Sequence, residues 1–157
     1  MSGLSGGLPK VAVDVTPESR PFWDGLGRGE IVVTWCDACD RQVWPPRDRC
    51  PVCLGAPVGT RTLSGEGTLY SFTVVHRADP AFAGAVPYVV AYVSLDGGPT
   101  IMANVAGASS DRLEVGMRLR LRAPEGEADG PVGGAVFEPV PDAAPESGSG
   151  PGEGAGA

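Results

Sequence analysis

The chain has 157 residues, with 12 basic and 19 acidic side chains and a net charge of −7. This length predicts one domain, or one with a small addition, and excludes a large multidomain enzyme. The acidic balance argues against binding of phosphate backbones, and the single histidine, His76, excludes mechanisms that need two. The longest apolar run, residues 86–93, is far shorter than the roughly 20 residues that span a bilayer. Residues 1–7 lack the features of a secretory signal, so we expect a cytoplasmic protein.

The net charge is unevenly distributed along the sequence. Basic and acidic side chains cancel as far as Arg122, and the whole −7 arises from the carboxylates after it. That Gly/Pro/Glu-rich segment has too few apolar residues to offset its ordering entropy, which predicts a disordered tail over residues 141–157. Residues 1–15 are expected to be flexible as well. The folded part is therefore close to neutral, which weakens the argument against nucleic acid without reversing it.

A short helix with its lead-in is predicted over residues 16–34. Thr16 is suited to the N-cap, and the regular part is expected to begin near Pro21 because proline is not tolerated deep in a helix. Phe22, Trp23 and Leu26 share one face. These side chains either cover the chain's own core or dock on a partner protein, and two large aromatics on so short a helix favour partner docking.

Four cysteines lie within eighteen residues and carry the strongest signal. They form the pattern C-x2-C-x10-C-x2-C through Cys36, Cys39, Cys50 and Cys53. Two such turns supply four thiolates in a tetrahedron, which predicts a rubredoxin-like zinc ribbon over residues 35–60. An iron site with the same ligands stays open, whereas a redox dithiol lacks the βαβ context and paired disulfides do not suit the cytoplasm. Since four thiolates leave no open coordination position, the single zinc is expected to be structural.

The remainder, residues 61–140, is predicted to form a five-stranded OB-type barrel, so the fold is mainly β. Period-2 patterns and turn residues place the strands at residues 67–77, 88–95, 100–105, 115–121 and 135–140, with one helical turn near residue 110. In the first strand, Tyr70, Phe72 and Val74 are expected on one face, where a core residue belongs. The fourth strand alternates apolar residues with arginines, which gives it one basic face.

The ordered set of motifs closely resembles the DUF35 family. It consists of PFWDGL at residues 21–26, the two cysteine turns with WPP between them, GEGTLYSFTVVH at 65–76, PYVVA at 87–91 and LEVGM at 113–117. The resemblance implies a zinc-ribbon plus OB-fold accessory subunit that accompanies thiolase-superfamily enzymes. In such assemblies the partner supplies the catalytic residues, and the DUF35 subunit bridges subunits and helps to form the CoA channel.

This resemblance turns several polar and aromatic residues into candidate CoA contacts. The candidates are His76, Arg77, Phe82, Arg118 and Arg120, because arginines can bind phosphates and the loop after the first OB strand is a common ligand site. The alternatives are a rim histidine with a local hydrogen bond, and a solvated or partner-bound arginine face.

Two other functions remain open from the sequence. OB folds and zinc ribbons also bind RNA or single-stranded DNA, but that activity requires aromatic residues in a basic groove. A free-standing acyl-CoA enzyme would need a base and an oxyanion site, which one histidine does not provide. We therefore expect a non-catalytic scaffold subunit with no membrane association.

Overall fold

β-Strands dominate the fold, as the sequence predicts. The structure, a computed structural model, describes residues 12–55, 58–123 and 134–141. Within these ranges lie one α-helix, α1 (Arg20–Gly27), and eight strands: β1 (Ile31–Cys36), β2 (Arg41–Val43), β3 (Gly59–Leu63), β4 (Glu66–Val75), β5 (Tyr88–Leu95), β6 (Thr100–Val105), β7 (Arg118–Leu121) and β8 (Val136–Pro139). The predicted flexible segment 1–15 and tail 141–157 lie outside the described residues, apart from residues 12–15 and 141.

The helix begins at Arg20, close to the predicted position, but its cap differs from the prediction. Ser19 is the N-cap residue, so the prediction of Thr16 was wrong. Thr16 instead caps a turn in front of the helix: its N–H donates to Ser19 Oγ at 3.0 Å, and Ser19 N–H donates to Thr16 Oγ1 at 3.4 Å. Gly25 lets the helix approach β1 closely, since a Cβ there would lie 2.7 Å from Val32 Cγ2.

The ribbon is a three-stranded antiparallel sheet in the order β2-β1-β3. The sequence patterns identified only the β2 arm, because β1 is a near-continuous apolar run and β3 is short and exposed. Strand β1 links two environments. Its first residues, Ile31 and Val33, belong to the large hydrophobic core, whereas its last residue, Cys36, belongs to a small separate cluster with Val43 and Cys50.

The barrel is closed by the five strands that follow the ribbon in the described part of the chain, in the order β4-β5-β6-β8-β7. β6 and β8 are parallel and the other pairs are antiparallel. A single 3-10 turn, Ser110–Arg112, separates the third strand from the fourth. The predicted class is thus confirmed: a mainly β chain with a short helix, a ribbon and an OB-type barrel.

One side chain of the first barrel strand points the other way from the prediction. Strand β4 contains a β-bulge between Leu69 and Ser71, so Tyr70 is left without a place in the register. Leu69 is fully buried, whereas Tyr70 is 66% exposed. The expectation that Tyr70 shares the inner face with Phe72 and Val74 was therefore wrong, because the extra residue reverses the alternation.

Candidate metal centre and contact surfaces

The four cysteine sulfurs converge on one point. Cys36 ends β1, Cys39 lies in the turn that follows, and Cys50 and Cys53 lie in the turn before β3. All four sulfurs lie within 4.8 Å of one another, with Cys36 to Cys53 at 3.7 Å and Cys39 to Cys50 at 4.0 Å. A zinc tetrathiolate with bonds of about 2.3 Å has sulfurs about 3.8 Å apart. The spacing fits shared ligation of one metal ion and is far too long for disulfides.

The backbone around the second turn favours a thiolate. The N–H of Val52 points at Cys50 Sγ, 3.4 Å away. The N–H groups of Cys53 and Val52 lower the pKa of the Cys50 thiol. By contrast, the Cys53 sulfur and burial raise the pKa of the Cys39 thiol to about 12. Four sulfurs this close do not all ionise by themselves, and a bound dication supplies the charge that makes four thiolates stable together.

Burial is graded across this cluster. Cys36 and Cys50 are fully buried, Cys39 is half-buried and Cys53 is exposed. The cluster has little apolar material of its own, since two of its three buried residues are cysteines. A metal ion would therefore supply much of the cohesion of this end of the ribbon.

The predicted partner-contact residues on α1 separate into two groups. Phe22 is 7% exposed and packs edge-on against Trp23 and Trp44, with ring centroids 5.1 Å away in both cases. It is a core residue that a partner cannot reach directly. Trp23 and Leu26 are half-buried at the edge of the same core. Part of the surface of each therefore remains exposed.

The candidate CoA contacts do not form one site. Arg118 is paired in register with Thr68 near the start of β4, whereas His76 follows the other end of that strand. Eight residues of strand separate these positions by about 25 Å. His76 and Arg77 are exposed, and Phe82 is half-buried in a 3-10 turn, Pro80–Phe82.

Two of the candidate CoA contacts, Arg118 and Arg120, already form ion pairs with carboxylates of this chain. Arg118 donates to Asp96 at 2.9 Å and to Glu66 at 3.2 Å, and Arg120 donates to Glu138 at 2.9 Å. Arg118 lowers the pKa of Asp96, as expected for a charge-assisted pair. The basic face predicted from β7 is therefore neutralised within the chain, and a phosphate would have to displace these carboxylates.

Two exposed apolar surfaces were not predicted from the sequence. The first, which we call the barrel patch, consists of Tyr70, Tyr92 and Met102, exposed by 66%, 50% and 66%. Tyr92 lies opposite Met102 on β6 and opposite Ser71, the residue after Tyr70, on β4. The three side chains thus form a row across neighbouring strands. Only the bulge exposes Tyr70, and no local sequence signal marks it.

The second surface lies at the second cysteine turn, and we call it the ribbon tip. It consists of Val52 and Leu54, which are both exposed large apolar residues. Leu54 has a positive φ of 56°, which is unusual for a branched side chain. The exposure of Val52 could have been predicted from its position between two cysteines, because a residue inside a metal-binding turn has little room to point inward.

The helix described by the structure is too short and too polar to cross a membrane.

Known proteins share this combination of a zinc ribbon and an OB-type barrel. Residues 23–58 match a domain described as the ChsH2 rubredoxin-like zinc ribbon, and residues 60–123 match the ChsH2 C-terminal OB-fold domain. A DUF35 domain-containing scaffold protein of Methanocaldococcus jannaschii is 30% identical, over 67% of this chain and 78% of that protein. A second one, from Methanothermobacter thermautotrophicus, is 31% identical over 66% of this chain and 82% of that protein. The chain belongs to the DUF35 family.

A solved structure gives the same result in three dimensions. The chain titled Ltp2-ChsH2(DUF35) aldolase superimposes with a TM-score of 0.71 and 31% identity, over 82% of this chain and 98% of that one. A probable enoyl-CoA hydratase alpha subunit of Thermomonospora curvata is 35% identical over 72% of this chain. The chain spans only 34% of that relative's length.

Proposed function

We propose that the protein is a non-catalytic accessory subunit of a thiolase-superfamily complex that acts on acyl-CoA. The observation that carries this proposal is the match over 98% of the DUF35 chain titled as part of an Ltp2-ChsH2 aldolase. The scaffold proteins named among the relatives support the same role, because they match over most of their length. On this proposal the partner holds the catalytic residues, and this chain bridges subunits.

We propose that the hydratase activity named for some relatives does not extend to this chain. The chain covers 34% of the Thermomonospora curvata protein and 31% of a Mycobacterium tuberculosis 3-oxo-4,17-pregnadiene-20-carboxyl-CoA hydratase alpha subunit. Two thirds of each relative therefore lie outside the match. We propose that the shared third serves assembly, whereas the activity in the name belongs to the remainder or to a partner.

We propose that one zinc ion per chain is held by Cys36, Cys39, Cys50 and Cys53. The sulfur spacing and the match to a zinc-ribbon domain support this assignment. Four thiolates complete a tetrahedral shell, so the ion would serve to order the ribbon and leaves no position for substrate. Cysteine thiols stay reduced in the cytoplasm, which supports a cytoplasmic location for a chain with four thiolate ligands.

The contact surfaces follow from exposure. We assign the barrel patch and the ribbon tip, together with Trp23 and Leu26, to partner contact, because aromatic residues and methionine are enriched in interfaces. These residues come from the helix, the ribbon and the barrel, as a bridging subunit requires. His76, Arg77 and Phe82 remain the candidates for contact with CoA. Arg118 and Arg120 would contribute only after exchanging their carboxylate partners.

Nucleic-acid binding is not favoured. Tyr70 and Tyr92 are exposed and offer stacking surfaces, but the register partners of Tyr92, Ser71 and Met102, are uncharged. The nearby cation Arg118, which pairs with Thr68, is already bound by Asp96 and Glu66. Stacking on single strands works together with cations that follow the phosphate backbone.

Co-expression tests this proposal. The chain would be produced with the thiolase-superfamily protein encoded nearest to it and passed over a size-exclusion column. We expect one peak containing both proteins, free of nucleic acid. If the chain elutes separately from the thiolase-superfamily protein and instead retains single-stranded RNA or DNA, the proposal is overturned in favour of a nucleic-acid-binding function.

A further inference from the structure

Arg61 lies at the centre of a set of polar contacts around the first cysteine turn. It is the middle residue of β3, opposite Val33 of β1. Its Nη2 donates to Asp37 Oδ1 at 3.1 Å and to Asp40 Oδ1 at 3.3 Å. Asp37 directly follows Cys36 and Asp40 directly follows Cys39, so one guanidinium spans both ends of the turn.

Trp35 completes this arrangement. The guanidinium carbon of Arg61 lies 4.0 Å from the centroid of the Trp35 ring, in cation–π geometry. The indole N–H of Trp35 donates to the same Asp40 oxygen at 3.3 Å. The planar guanidinium thus stacks and donates at the same time, which an ammonium group does not reproduce.

Asp40 has an unusual backbone conformation beside this arrangement. Its φ is +46°, in the left-handed region, which L-residues other than Asn and Asp seldom adopt and in which local hydrogen bonds to the side chain help to hold an aspartate. Such a conformation persists where neighbouring groups hold it. The hydrogen bonds from Arg61 and Trp35 meet on its carboxylate, and the backbone they fix leads directly out of Cys39.

Charge gives Arg61 a second role. Four thiolates with one divalent cation carry a net charge of −2, and Asp37 and Asp40 add two carboxylates beside the same turn. These negative charges repel one another because they belong to the same short turn. Arg61 places one positive charge against both carboxylates, with ion-pair distances of 3.1 and 3.3 Å.

We propose that Arg61 is a positioning residue of the metal centre, holding the Cys36–Cys39 turn in its ligating shape through Asp37, Asp40 and Trp35. The inference rests on the proposed structural zinc. It extends that proposal to a residue outside the cysteine motif. Partners that orient metal ligands typically change metal affinity by about 10- to 100-fold when removed. Because the Asp37 and Asp40 side chains are largely exposed, at 78% and 81%, we expect a smaller effect of about 3- to 10-fold.

The experiment is a metal-release assay on the full chain. Zinc-loaded wild type and Arg61→Met are mixed with an excess of a chromogenic chelator, and the rate of zinc transfer is followed. We expect release about 3- to 10-fold faster in Arg61→Met, with an intermediate rate in Arg61→Lys. The thermal midpoint of the barrel should be unchanged, and the cobalt-substituted protein should show an altered thiolate–cobalt spectrum.

Arg28→Met is the matched control. It removes an arginine from another exposed ion pair, Arg28 with Glu30 at 3.2 Å, which lies just before the start of β1, whereas the cysteine turn follows its end. Release from Arg61→Met at the wild-type rate, or equally fast release from Arg28→Met, would overturn the inference. If Arg61→Met does not fold, Arg61→Lys carries the test, and a wild-type rate there would overturn it. A wild type purified without metal would instead refute the proposed zinc.

Discussion

Phe22 of α1 meets Trp44 of the ribbon edge-on, with ring centroids 5.1 Å apart and ring planes at 67°. Phe22 belongs to the same hydrophobic core as the barrel residues Leu69 and Phe137. One side chain thus connects the helix, the ribbon and the barrel. The N-terminal helix is held to the rest of the fold by core packing and does not project from it as a free arm.

This packing predicts the effect of removing the Phe22 ring. Phe22→Ala should lower the free energy of unfolding by about 3–4 kcal/mol, because truncation of a buried aromatic leaves a cavity. Trp23→Ala should cost less, since Trp23 is only half-buried. Urea unfolding followed by circular dichroism measures both. A Phe22→Ala variant as stable as wild type would contradict the core assignment.

Metal removal should affect one end of the molecule. Cys36, Val43 and Cys50 form a cluster separate from the barrel core, so chelation should loosen the ribbon and leave the barrel folded. Amide hydrogen exchange measures this locally. We expect protection to fall at least tenfold at Cys36 and Val43 and to stay unchanged in β5 and β6. Simultaneous loss of protection in both regions would show that the two parts unfold as one unit.

The barrel patch should contribute to partner binding without contributing to stability. Tyr92→Ser combined with Met102→Ser should weaken the complex about tenfold or more, because exposed aromatic residues are frequent hot spots. The thermal midpoint should remain that of wild type. Val115→Ser is the matched control, since Val115 is equally exposed but lies outside the patch. Isothermal titration calorimetry measures the affinity for the partner. If Val115→Ser weakens binding as much as the double substitution does, the barrel patch is not a specific part of the interface.

The pair of Arg118 and Asp96 should give a small, pH-dependent contribution. Arg118 lowers the pKa of Asp96 below its ordinary value of 3.8. The pair therefore stabilises the fold above that value, and this contribution is lost as the pH falls through the lowered pKa. Asp96→Asn should lower the Tm by roughly 2–4 °C at pH 7, and the difference should shrink progressively as the pH falls below 3.8. A difference that stays constant with pH would contradict this pairing.

Local signals in the sequence identified most of the barrel. Strands β5 and β6 begin and end where predicted, because Asp96 and Gly97 mark a tight turn between two β-rich runs. The spacing of the cysteines likewise predicted that their sulfurs converge. These features depend on residues that are near in sequence or on a motif of fixed spacing.

Features set by tertiary packing were missed. The bulge at Tyr70 depends on how β4 and β5 pair, so the alternation of the sequence places the ring on the wrong face. The arginines of β7 looked available for phosphate because their carboxylate partners are distant in sequence: Asp96 is 22 residues from Arg118. Arg61 lies 24 residues from Asp37 and outside the cysteine motif, so no local pattern linked it to the metal centre.

Reconstitution of activity tests the central proposal most directly. The purified thiolase-superfamily partner would be titrated with this chain while turnover of its acyl-CoA substrate is measured. We predict that the rate rises and saturates at a fixed molar ratio, while the chain alone turns over no acyl-CoA. A partner rate that is unaffected throughout the titration, or turnover by the chain alone, would contradict an accessory role.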